Sequence, residues 1–233
     1  MSTGARVLHK LRQEGGDLGQ IYGGNLLTSQ SDTLDLVKSW DARAEPSGQR
    51  FNYNELAPIT MTHVLRRATG MTLSRFAEER LWKAMGAESA ASWMVDSKGA
   101  EIGCVGFSAT LRDWARLGLL LADDGNYGGA QVVPGDWLMK MTTISDADQH
   151  LRTMIATSHS GYGYLTWVEA YRQRRVFSMR GHHHQFLIVA PQLRLVLVQT
   201  AVDNAPPAFA QSLYTIYTAL MAELEKRPIP STA

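Results

Sequence analysis

The chain has 233 residues, 45% of them apolar and 19% charged, which is the balance of an ordinary packed protein with room for one sizeable domain or two small ones. Its 23 basic and 22 acidic side chains leave a formal net charge of +1, so neither nucleic acid nor an anionic membrane is indicated as a partner. A single cysteine, Cys104, excludes an internal disulfide framework and a cysteine-based zinc site, and no segment is apolar for long enough to span a bilayer.

In chain order, Met-Ser-Thr-Gly-Ala-Arg-Val at the start holds no apolar core of signal-peptide length. With Met1 as the natural start the chain is expected to stay in the cytoplasm. Residues 1–30, punctuated by Gly15-Gly16 and Gly23-Gly24, read as loop. Asp32 to Trp40 fits a short helix capped by Ser31 or Asp32, with Leu34, Val37 and Lys38 on one face. Glu45-Pro-Ser-Gly48 is a turn. From Leu56 to Ala68 the positions Ile59, Met61, Val64, Leu65 and Ala68 recur at helical spacing, and Gly70 ends the run. Thr72 to Met85 reads as a second helix, with Thr72 as cap and Arg75 and Glu79 spaced for an ion pair. Ser108 to Leu121, capped by Ser108, is a third. Pro134 to Met141 begins another.

After Ser160 the period changes to alternation. Tyr162–Val168, Arg175–Arg180, Gln185–Ala190 and Leu193–Ala201 read as strands of an antiparallel meander. Pro206 to Glu225 returns to a helix with Phe209, Leu213, Ile216, Tyr217, Leu220 and Leu224 on the side that covers the sheet. The class is therefore α+β: a mostly helical lobe over 1–150, then an antiparallel sheet of about four strands backed by a C-terminal helix over 151–233.

Two motifs bear on chemistry. Arg50-Phe-Asn-Tyr-Asn-Glu55 puts Tyr53 on a loop before a helix. A phenol there can pass protons if cations or helix dipoles lower its pKa, or it can simply plug the helix start. Gly181-His-His-His-Gln185 leads into an apolar strand, where Gly181 allows close backbone approach and neighbouring N–H groups can serve as half of an oxyanion hole. Placed on a strand, His182 and His184 would share a face, but no third ligand or carboxylate partner is in view, so no metal and no cofactor are expected. Asp113 belongs in the first turn of its helix and reads as structural, and Cys104 as a small buried residue. No serine has a lysine three positions after it, and there is no Gly-x-Ser-x-Gly elbow, Walker loop or Rossmann glycine pattern.

The order of segments resembles the β-lactamase-related serine hydrolases, in the branch of 6-aminohexanoate-dimer hydrolases and esterases related to class C β-lactamases and penicillin-binding carboxypeptidases. Met1-Ser-Thr-Gly4, Phe51-Asn-Tyr-Asn54, Ala68-Thr-Gly-Met71, Leu81-Trp-Lys-Ala-Met-Gly86, Phe107 to Gly118, Val133-Pro-Gly-Asp-Trp137, Gly181 to Gln185 and Ala190-Pro191 follow the family's elements in sequence. The resemblance runs over nearly the whole chain and implies an incomplete β-lactamase-like domain, the C-terminal portion without its Ser-x-x-Lys segment. It also implies amide or ester hydrolysis through an acyl-enzyme, with a small amide or ester as substrate. By the same resemblance Tyr53 would be the acid/base, His182 would give its backbone N–H to the oxyanion, and Gly181, His183 and Cys104 would line the substrate cleft. Glu55 stands where class C enzymes have Asn, Ala84 where Pro is usual, and His184 replaces the second Gly of the strand entry. The expectation is a chain inactive alone. The alternatives are a non-catalytic ligand-binding protein or partner subunit of the same fold, with self-association through an exposed sheet edge.

Overall fold

The structure is a computed structural model and describes residues 1–6, 29–40, 43–202 and 208–226. The glycine pairs at 15–16 and 23–24, Pro206, and the side chain of Phe209 lie outside the described residues.

Six α-helices and nine strands are described: α1 (Thr33–Ser39), α2 (Leu56–Thr69), α3 (Leu73–Ala77), β1 (Ser92–Trp93), β2 (Phe107–Ser108), α4 (Leu111–Ala122), β3 (Asn126–Tyr127), β4 (Ala130–Gln131), α5 (Gly135–Thr142), β5 (Ser160–Gly163), β6 (Thr166–Tyr171), β7 (Arg174–Gly181), β8 (Gln185–Ala190), β9 (Leu195–Gln199) and α6 (Ala208–Leu224). Asp32 caps α1 by accepting from Leu34 N and Asp35 N. Gly70, at φ 67°, ends α2 in the left-handed cap that glycine adopts without strain. Thr72 caps α3, which widens into a π-turn over Glu78–Trp82, and Arg75 meets Glu79 at 2.8 Å.

β5 to β9 form one antiparallel sheet in sequential order. Two apolar layers follow from its alternation. Phe177, Leu187 and Val189 face α4 and α5, where Leu117, Leu120, Leu121 and Leu138 close the larger core. Val176, Phe186, Ile188 and Ala190 face the other way, against Leu213, Tyr217 and Met221 of α6. Gly118 sets the approach of α4, because a Cβ there would lie 2.3 Å from Val196 Cγ1 and 2.8 Å from Leu187 Cδ1. A third cluster joins Leu36 of α1, Leu56 and Ile59 of α2, and Ile102.

The structure corrects several expectations. The sheet has five strands, because Tyr162–Val168 is not one strand but parts of β5 and β6. They are joined by Tyr164 and Leu165 at φ 46° and 67°, a left-handed turn carried by residues that do not announce it. The last strand starts at Leu195, after a 3₁₀ turn over Pro191–Leu193. Thr110, not Ser108, caps α4, since Ser108 pairs with Ser92 in β2. Helix faces differ from the expected stripes where apolar residues point outward: Leu34, Met61, Val64, Ile216 and Leu220 are exposed, while Leu36, Thr62 and Met221 are buried. No described helix is long and apolar enough to cross a membrane.

Candidate active site

The loop that carries Tyr53 is held from both sides. Asn52 N bonds Met1 O at 2.9 Å and Asn52 Nδ2 bonds Ala5 O at 3.3 Å, so the first residues of the chain run alongside it. Asn54 is fully buried: its Nδ2 bonds Asn52 O at 2.8 Å and its Oδ1 accepts from Ala57 N at 3.0 Å. That second bond satisfies a free N–H of the first turn of α2, where Pro58 has none to offer. Tyr53, between the two asparagines, therefore has little backbone freedom.

Its ring rests on an aromatic bed from the sheet. Trp167 of β6 stacks on it at 5.5 Å and 20°, Tyr162 of β5 meets it edge-on at 5.9 Å, and Phe51 lies 6.5 Å away. Tyr53 as a residue is 37% exposed. Burial first, then the charges of Glu55 and Cys104, push the phenol above the usual tyrosine range. Cys104 is half-buried in the α1–α2 cluster, and burial followed by Glu55 pushes its thiol up to about 12. Glu55, 4% exposed at the start of α2, thus acts on both. The structure brings Tyr53, Glu55 and Cys104 into one electrostatic neighbourhood.

Gly181 ends β7 and pairs with Gln185 at the start of β8. Its backbone is ordinary extended chain at φ −121°, so glycine is not demanded by conformation; an added Cβ would press on the Gln185 side chain at 3.1 Å. His182–His184 form a 3₁₀ turn and not a strand, with His182 and His183 exposed and His184 half-buried, which removes the shared strand face of His182 and His184. His183 and His184 are left-handed, at φ 56° and 64°. Two glutamines hold them. Gln199 Nε2 donates to His184 O at 3.0 Å, while the Gln185 amide bonds both the N–H and the carbonyl of Ala201. Among the described residues no group of three or more His, Cys, Asp or Glu is placed to hold a metal ion.

Asp113 is fully buried and accepts from Glu88 N, Ser89 N, Thr110 Oγ1 and Arg116. The Glu88 N–H leads in holding its carboxyl below the usual range, against burial, with Thr110, Ser89 and Arg116 helping. It ties the 88–89 turn to α4 and touches none of the candidate site. Sequence reasoning missed Tyr162, Trp167 and Arg180. Arg180 lies one residue before Gly181, with its guanidinium 4.7 Å from the Trp167 ring centre, so the ring that carries Tyr53 also meets the side chain next to Gly181 in sequence. The available signal was the pairing of Tyr162 with Trp167 across a hairpin, legible only once the turn at Tyr164-Leu165 is known.

No family model matches the chain. It is 28% identical over 108 residues to the 6-aminohexanoate-dimer hydrolase of Paenarthrobacter ureafaciens, a match covering 46% of this chain and 27% of that protein. A solved structure from Bacillus anthracis, provisionally assigned as a 6-aminohexanoate-dimer hydrolase, superposes with a TM-score of 0.74 and 27% identity over 85% of this chain and 50% of that one. A penicillin-binding protein from Bacillus halodurans shares the fold at a TM-score of 0.61 and 16% identity, over 95% of this chain and 70% of its own. The chain thus spans about half of the B. anthracis protein, and its match to the curated relative about a quarter of that protein. Segment order, a helical lobe against an antiparallel sheet, and these likenesses together show a β-lactamase-like fold, in a chain whose sequence is similar to the 6-aminohexanoate-dimer hydrolases among the β-lactamase-related serine hydrolases.

Proposed function

We propose that this chain supplies the tyrosine side and the oxyanion side of a serine acyl-transfer site for small amides or esters, and that alone it hydrolyses neither. The observation that carries the reading is Tyr53: it is seated on rings and fixed by Asn52 and Asn54, yet burial and Glu55 raise its pKa. A phenol that exchanges protons near neutral pH needs a cation beside it. In the family that cation is the lysine of Ser-x-x-Lys, a pattern that occurs nowhere in these 233 residues.

With serine and lysine supplied, the chemistry closes. The serine oxygen bonds the substrate carbonyl carbon, and its proton passes through lysine and Tyr53 to the departing amine or alcohol. Water then breaks the acyl–serine bond and releases the acid. His182 N–H, Gly181, His183 and Cys104 are proposed around the acyl group. The test is turnover of p-nitrophenyl butyrate and nitrocefin, first with the chain alone and then after co-folding with the unmatched half of the B. anthracis relative. We expect background rates alone, and a gain with the added half that Tyr53→Phe abolishes. Turnover by the chain alone, or a gain indifferent to Tyr53→Phe, overturns the reading.

The sheet edges favour a second element, self-association. Among the described residues β5 and β9 are the outer strands: β5 is short and its four residues are all buried, whereas β9 carries Leu195-Val-Leu-Val198, half-buried and without proline or lysine to blunt it. Sedimentation over a wide concentration range is expected to show association; a monomer throughout would contradict it.

A further inference from the structure

The sheet face that carries α6 holds a polar cluster with no part in the chemistry above. The Glu169 carboxylate, 8% exposed, accepts from Ser160 Oγ at 2.9 Å and from Ser178 Oγ. Arg180 Nη2 bonds both Glu169 oxygens at 2.6 Å and Ser160 Oγ at 2.6 Å, and Arg180 Nε bonds Ser178 Oγ at 3.1 Å. A guanidinium pinned at so many points cannot swing, and its planar fork is already set for stacking. One ring beside it is Tyr214 of α6, centred 5.6 Å away; the other is Trp167, at 4.7 Å.

Trp167 also stacks on Tyr53 and takes Tyr162 edge-on at 4.8 Å and 86°. A charge over an indole face and an edge-on phenol are both favourable and both directional, so together they select one ring orientation. Tyr53 lies 20° from that plane. We infer that Trp167, fixed by the Arg180–Glu169 pair, is the positioning residue for the Tyr53 phenol. Strain or loosening in this partly buried ion pair then reaches the phenol through one indole ring. The consequence for catalysis rests on the reading of Tyr53 given above; the positioning itself does not.

The experiment reads the Tyr53 ring protons by NMR in the full chain, assigned by their loss in Tyr53→Phe, with thermal unfolding alongside. In Trp167→Leu the ring-current displacement of the Tyr53 signals is expected to vanish, and its phenol to titrate closer to ordinary tyrosine. Trp167→Phe should retain part of the displacement. Glu169→Gln keeps the shape but loosens Arg180, and should move the Tyr53 signals in a protein that still unfolds cooperatively. If Trp167→Leu does not fold, Trp167→Phe and Glu169→Gln decide. A residue of merely structural weight would lower the melting temperature and leave Tyr53 where it was, and that result overturns the inference. In the co-folded enzyme, Trp167→Phe should lower kcat about tenfold with KM unchanged. Failure of Tyr53→Phe to affect hydrolysis would remove the catalytic reading while the NMR result stands or falls separately.

Discussion

The two sides of the candidate site are built in opposite ways. Tyr53 stands on a bed of three rings whose central member is locked by a partly buried ion pair, and its loop is tied by two asparagines. The 181–185 turn is exposed over its first three residues, left-handed at two histidines, and held by the amides of Gln185 and Gln199. Orientation on the tyrosine side comes from packing, which is cooperative and costly to disturb. On the histidine side it comes from a few hydrogen bonds set against backbone strain.

The difference can be measured. Glu169→Ala leaves Arg180 partly buried without its carboxylate and should cost about 3–5 kcal/mol in denaturant unfolding. A loss below about 1 kcal/mol would mean that the pair does not anchor the face. On the other side Gln199→Ala should cost only about 1 kcal/mol, with faster hydrogen exchange confined to the turn. Global loosening there would erase the contrast. His183→Gly and His184→Gly remove about 1–2 kcal/mol of left-handed strain each, offset by about 0.5–1 kcal/mol of glycine entropy. Each should therefore stabilise slightly, and a clear loss would show that the imidazoles pack.

A charge test sharpens the tyrosine side. Glu55→Gln should lower the pKa of both Cys104 and Tyr53, read by thiolate and phenolate absorbance. Unmoved values would separate Glu55 from them. For Cys104 the folded thiol, at about 12, lies above the unfolded value of about 8.5. Its contribution to stability is therefore complete below the unfolded value and fades as pH rises toward the folded one. Wild-type protein should lose stability on the alkaline side, and Glu55→Gln should lose less.

Much of the fold was legible because its local signals agree with its packing. Asp32 and Thr72 cap where expected, Gly70 stops α2, and the unbroken apolar run over Phe186–Ala190 fits a strand buried on both faces. The misread helix faces have a common cause. Met61, Val64, Ile216 and Leu220 are apolar yet exposed, and periodicity cannot say which apolar stripe is covered. The turn at Tyr164-Leu165 was hidden because neither residue favours positive φ. Tyr53 and Gly181 could be picked out by motif, whereas Trp167 and Arg180 could not: their link is made by strand pairing across residues far apart in the chain.

Fluorophosphonate labelling of the purified chain, read by intact-protein and peptide mass spectrometry, meets the central claim head on. The account predicts no stoichiometric adduct on any serine of these 233 residues, and labelling only of an added polypeptide that brings Ser-x-x-Lys. One full equivalent of label on a serine of this chain would contradict it.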